Sequence, residues 1–147
     1  MKISLTYRRV LLFIFLLCFA YWAYLFFFSN IQISCDARGY ESFGYELYKY
    51  GWKANFKGLG REPLYPFLIL LSMKIANLLS VHYFYVQKII QVLFLFCTQM
   101  LTLILLSKLK VRNTIKLSAV GYIGFSPALV NSAFCLFSEI ASYPFVL

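Results

Sequence analysis

Long apolar stretches alternate with shorter polar ones along this chain, and the length of each apolar stretch limits what it can be. Residues 10–28 run without a charged side chain for about the length that a membrane-spanning helix needs. The run is too long for a signal-peptide core and lacks a small-x-small cleavage site, so it reads as a first span. Tyr21, Trp22 and Tyr24 lie towards its far end, as aromatic-belt residues do. Residues 83–106 form a second run whose only charge, Lys88, sits near its start and is read as snorkelling to the interface. Residues 117–137 form a third, with a bend predicted at Pro127. Residues 64–79 are apolar for only about 16 positions and are interrupted by Lys74. That length is ambiguous between a spanning helix and a juxtamembrane one. Residues 140–147 begin a further apolar helix that stops too soon to cross. The chain therefore reads as the N-terminal part of a larger polytopic protein, or as a natural truncation that borrows partners.

Between the first two stretches lies a polar, aromatic-rich segment, residues 29–62. It sets Asp36, Glu41, Glu46 and Glu62 against Arg38, Lys49, Lys53, Lys57 and Arg61, so its charges nearly cancel. Over residues 36–50, Tyr40, Phe43, Leu47 and Tyr50 recur at helical spacing among polar side chains. The spacing predicts an interfacial helix with its aromatics turned to lipid. Gly51, Gly58 and Gly60 then break the chain into a loop. The segment ends on Arg61-Glu62-Pro63-Leu64-Tyr65-Pro66, where ionisable groups, two prolines and a tyrosine meet at the start of the short apolar run.

The cations decide how these runs are threaded. Lys2, Arg8 and Arg9 precede the first span and hold the N-terminus in the cytoplasm. Lys108, Lys110, Arg112 and Lys116 crowd the turn after the second long run with no acid among them, and such a loop is also cytoplasmic. If residues 64–79 crossed, that basic loop would be forced outside. They are therefore read as a juxtamembrane helix, which places residues 29–62 and Ser138-Glu139 together on the external face.

Composition agrees with this all-α, polytopic membrane protein. Hydrophobic residues make up 62% of the 147 positions and aromatics 20%, with a mean hydropathy of +0.75, which excludes a soluble globular domain. The net charge of +9 is scattered and concentrates where apolar runs end, so it orients the chain and makes no nucleic-acid-binding stripe. No two of the four cysteines have metal-ligand spacing, and His82 is the lone histidine. No metal site is expected, and Cys35 and Cys135 pair only if both face an oxidising compartment.

Topology thus gathers several groups with chemical potential. Asp36, at the membrane edge, is placed to take a proton from an acceptor hydroxyl or amine. Arg61, Arg38 or Lys57 is suited to hold a phosphate and to stabilise charge as it leaves. Glu139 is suited to position the acceptor or the basic groups, and Tyr40 and Tyr65 to stack on a sugar. Each also has a plainer reading. Asp36 serves equally as a helix N-cap, and Glu139 as an acid favoured by the dipole at a helix start. Arg61 and Lys57 serve as interfacial cations, and Pro63 and Pro66 as residues that start a helix.

The order of these features resembles the C-type glycosyltransferases (GT-C), in particular the branch with the protein O-mannosyltransferases and the bacterial lipid A aminoarabinose transferases. The resemblance rests on Asp36 near the start of an external loop and on Arg61-Glu62-Pro63-Leu64-Tyr65-Pro66 opening a juxtamembrane helix. It continues in the basic turn from Lys108 to Lys116, and in Ser138-Glu139 after Ser126-Pro127-Ala128-Leu129. It covers nearly the whole chain, although members of the family are several times longer. It implies a GT-C-like helical bundle fragment that moves a sugar from a polyprenyl-phosphate donor, a substrate and not a cofactor, on the outer face of a bacterial inner membrane. It also implies that Asp36 and Glu139 are catalytic, and that Arg38, Tyr40, Arg61, Glu62, Tyr65 and Lys88 bind substrate. This sequence departs from the pattern in placing Ala37 after Asp36, Glu62 at the first proline position, and Gln87-Lys88 where an arginine commonly opens the second span.

The expected partners are membrane lipid, the polyprenyl-phosphate sugar, and either the remaining helices or another membrane protein; no nucleic acid is expected. A rival from a different class is a small non-enzymatic membrane protein that packs against a larger partner, its charges serving only to set topology. A transporter fragment is weaker, because Lys74 and Lys88 are poor functional charges within spans.

Overall fold

Helices account for nearly all of the computed structural model, which describes residues 5–28, 36–52, 64–135 and 138–146. In chain order they are α1 (Leu5–Phe28), α2 (Asp36–Tyr50), α3 (Leu64–Leu79), α4 (Tyr83–Lys108), α5 (Asn113–Phe125), α6 (Pro127–Phe134) and α7 (Glu139–Val146). No strand occurs among the described residues. Among the described residues only α1 and α4 are single helices long and apolar enough to cross a membrane. Their 24 and 26 residues rise about 36 and 39 Å, more than the ~30 Å hydrocarbon layer. The 16 residues of α3 rise about 24 Å and fall short of it.

The third apolar stretch begins earlier than its sequence implies, at Asn113, and is broken in two. Helices α5 and α6 meet that test for crossing only as a pair, bent by 43°. Pro127 explains the break. It lacks an N–H and opens α6, and Ser126 before it adopts φ −59°, ψ 117°, the extended region to which a residue before proline is confined.

Contacts along α4 fix the arrangement of the other helices. Lys88 near its start meets Phe26 at the end of α1, whereas Gln99 further along meets Cys18, so α1 and α4 are antiparallel. Gln91 meets Tyr65 and Gln87 meets Ser72. Helix α3 therefore runs back along only the first part of α4. The inward face of α4 carries Gln87, Gln91, Leu95, Thr98 and Gln99, and Leu95 joins Cys18, Trp22, Ile123, Val130 and Ile140 in the main core. Gly124 allows α5 to approach α1 closely: a Cβ there would run into Cys18 Sγ and stand 2.6 Å from Gln99 Nε2. Two hydrogen bonds cross this junction, Trp22 Nε1 to the Gly124 carbonyl at 2.9 Å and Gln99 Nε2 to the Val120 carbonyl at 2.8 Å.

Helix α2 differs from its expected pose. Phe43 and Leu47 do not face outwards but are buried against Leu70 of α3, while Tyr50 stays exposed. Gly44 makes the approach close, since a Cβ there would lie 2.6 Å from Ile69 Cγ2. The apolar stripe was correctly spaced for a helix, but the nearest apolar surface to cover it is α3 and not lipid. Helices α2, α3 and α4 end on residues with positive φ: Gly51 at 73°, Ser80 at 54° and Lys110 at 53°. Cys135 after α6 carries a free thiol; Cys35 lies outside the described residues.

Candidate functional site

Tyr65, in the first turn of α3, is the centre on which several sequence-selected residues converge. Its ring is buried and packs edge-on against Tyr40 of α2, with centroids 5.2 Å apart and planes at 80°. Its hydroxyl accepts a hydrogen bond from Gln91 Nε2. Burial pushes this hydroxyl well above its usual range, the amide of Gln91 pulls it partly back, and the negative charge of Glu139 pushes it up further. Tyr65 thus stays a neutral phenol, able to donate as well as accept. Glu139, the first residue of α7, is exposed to solvent, and its helix packs on Tyr65 through Ala141. Asp36 is the first residue of α2, one helical turn before Tyr40. The backbone therefore brings the start of α2, the start of α3 and the start of α7 to one place. Arg61 and Glu62 lie outside the described residues; in sequence they directly precede Pro63 and Leu64.

A polar seam leads from Tyr65 into α4. Ser72 Oγ carries one hydrogen and shares it between two acceptors within reach, the Leu68 carbonyl at 2.8 Å and Gln87 Oε1. Gln87 Nε2 and Gln91 Oε1 are buried with no hydrogen-bond partner, an arrangement that costs about 1–3 kcal/mol per group unless water or a ligand reaches it. In the sequence the only sign of this seam is that two glutamines four residues apart in an apolar run share one helical face; their partners lie on another helix.

Lys88 does not snorkel outwards, as its place near the start of the second long apolar run suggests, but is only 9% exposed. Its ammonium donates to the Phe26 carbonyl at 3.4 Å and lies over the rings of Phe26 and Phe134 at 5.5 and 6.0 Å. The carbonyls of the last turn of α1 lack intrahelical partners and carry the negative end of its dipole. They offer Lys88 a closer partner than the interface does, so it joins α1 to α4.

Arg38 lines a cavity that adjoins the Tyr65 cluster through Met73 and Tyr83. This residue lies on the face of α2 that bears Glu41, Tyr45 and Tyr48, at helical spacings of three, four and three. The cavity, of about 680 Å³, is closed on the other side by Met73, Asn77, His82 and Tyr83. Tyr83 donates its hydroxyl hydrogen bond to the Glu41 carboxylate. His82 caps α4, its Nδ1 accepting from Phe84 N at 3.3 Å. Among the described residues no group of three or more His, Cys, Asp or Glu side chains could hold a metal ion. No family model, curated protein or solved structure matches this chain.

Proposed function

We propose that this chain is the N-terminal module of a GT-C-like glycosyltransferase that moves a sugar from a polyprenyl-phosphate donor to an acceptor on the extracytoplasmic face. The observation that carries the reading is the convergence of Tyr40, Tyr65 and the start of α7 at Glu139, with Asp36 one turn before Tyr40. In this reading Asp36 takes the proton of the acceptor hydroxyl as its oxygen bonds to the anomeric carbon. The bond from that carbon to the phosphate oxygen breaks on the opposite face, with inversion, and polyprenyl phosphate leaves. Arg61 stabilises the charge that grows on the phosphate. Glu139 and the neutral hydroxyl of Tyr65 orient the acceptor.

The antiparallel pairing of α1 with α4 supports the accompanying polytopic threading, while the cytoplasmic N-terminus rests on Lys2, Arg8 and Arg9 alone. The end of α1 and the start of α4 lie at one level, and α3 covers only part of α4, as a juxtamembrane helix does. The test is Asp36→Asn in the full-length polypeptide, with transfer from a polyprenyl-phosphate sugar measured in membranes. The expected loss is at least ~100-fold, the scale of a general base; undiminished transfer at normal protein levels would sink the assignment.

A second reading, a non-enzymatic subunit packed against a larger membrane partner, draws support from the outward-facing apolar side chains of α1, such as Leu12, Phe13 and Leu16. Purification in mild detergent separates the two, since a subunit should retain a stoichiometric partner.

A further inference from the structure

We propose that the cavity between α2 and the α3–α4 turn binds the phosphoethanolamine headgroup of a membrane lipid. The site adjoins the Tyr65 cluster through Met73 and Tyr83, but the proposal does not depend on glycosyl transfer.

Its position is the first argument. The turn that closes it, Val81-His82-Tyr83, stands at the start of α4, one of two helices long and apolar enough to cross a membrane. The Lys88 contact puts the end of α1 five residues further along α4, about 8 Å deeper at the helical rise. The cavity therefore sits outside the level at which α1 ends, at the depth of lipid headgroups.

Its chemistry is the second. Arg38 and Glu41 share one face of α2 three residues apart, so a cation and a carboxylate stand about 5–6 Å from each other at Cβ. That pairing complements a zwitterion with a phosphate at one end and an ammonium at the other. The guanidinium suits the phosphate. Glu41 is held in place by the hydroxyl of Tyr83, and its remaining lone pairs suit an ammonium. Tyr45, Tyr48 and Tyr83 add π-faces that attract a cation.

A primary ammonium fits better than a quaternary one. It has three N–H donors, and Glu41, Asn77 and Ser42 all offer oxygen acceptors in the same cavity; choline has no N–H to donate to them. Met73, Ala76 and Val81 give the site an apolar side, which suits the glycerol end and the first methylenes. The volume of about 680 Å³ is that of a small-molecule site and exceeds what an ion needs.

The experiment is native mass spectrometry of the intact chain released from detergent in the presence of equimolar phosphatidylethanolamine, phosphatidylcholine and phosphatidylglycerol with identical acyl chains. Phosphatidylethanolamine should be retained about tenfold over the other two, the ratio expected from one charge-assisted hydrogen-bonding group. The preference should vanish in Glu41→Gln, which keeps the side-chain volume and an acceptor for Tyr83. N-acetyl phosphatidylethanolamine, whose amine is blocked, should bind no better than phosphatidylglycerol, and this arm needs no variant to fold. Equal retention of the three lipids, an undiminished preference in Glu41→Gln, or full binding of the acetylated lipid each overturns the proposal. Equal affinity for water-soluble glycerophosphoethanolamine overturns the membrane-lipid source.

Discussion

Trp22 and Gly124 are joined by a hydrogen bond of 2.9 Å across 102 positions of sequence, from the indole N–H of α1 to a carbonyl of α5. The bond exists only because glycine lets the two helices touch. Small residues that permit such an approach are typical of helix packing in a membrane, where lipid offers as much apolar contact as a neighbouring helix does. Gly124→Ala should therefore cost about 1–3 kcal/mol, because the new methyl must displace Cys18 Sγ. Trp22→Phe should cost about 1 kcal/mol through the lost bond. Both losses can be read from unfolding midpoints in detergent, and a Gly124→Ala protein as stable as the parent would show that the junction yields.

A buried tyrosine held by a glutamine gives the second prediction. Tyr65→Phe removes the acceptor of Gln91 Nε2, while Gln91 Oε1 already lacks a partner. The stranded amide should cost about 1–3 kcal/mol. Adding Gln91→Leu should restore part of that, since it removes the stranded polar group, and the two changes should be non-additive in a double-mutant cycle. The pH dependence has a definite sign. The folded protein raises Tyr65 above its ordinary value, so it holds this proton more tightly than the unfolded chain does. Its contribution to stability is complete below about pH 10 and is lost as pH rises towards the folded value. Tyr65→Phe should remove that share of the alkaline loss.

The end of α3 gives a change that should stabilise. Ser80 adopts φ 54°, while Val81 N reaches back to the Ala76 carbonyl at 3.0 Å, so the helix ends on a left-handed residue that is usually glycine. Ser80→Gly should raise stability by about 1 kcal/mol by relieving the Cβ penalty. The turn is exposed, so no packing is lost. A lower midpoint would mean that the serine side chain has a role in the turn.

These elements were unequally legible in the sequence. The helices at residues 36–50 and 64–79 coincide with stretches readable from spacing and turn residues, because glycine, proline and helical periodicity act locally. The length of an apolar run likewise reveals α1 and α4. What covers a stripe is not local: Phe43 and Leu47 advertise an apolar face, and only the fold selects Leu70 to meet it. The burial of Lys88 is hidden from the sequence for the same reason, since its partner, the Phe26 carbonyl, lies 62 residues away. Around the candidate site, the aromatic residues Tyr40 and Tyr65 could be selected by type. Gln87, Gln91 and Glu41 acquire meaning only from Ser72, Tyr65 and Tyr83, which come from other helices.

The last prediction concerns the threading of the chain, on which the proposed function depends. If α3 crossed the membrane, α4 would have to start on the side opposite to the end of α1. Instead Phe26 of α1 meets Lys88, five residues into α4, and α3 pairs with α4 only through its first part. With the N-terminus in the cytoplasm, Lys110 in the α4–α5 turn should then be cytoplasmic, and Lys49 at the end of α2 external. A cysteine placed at Lys110 should resist an impermeant thiol reagent in intact cells and react once they are opened, counted as the increment over the parent chain. A cysteine at Lys49 should react in both conditions. The reverse pattern would place α2 and the start of α3 inside, and with them the whole of the proposed site.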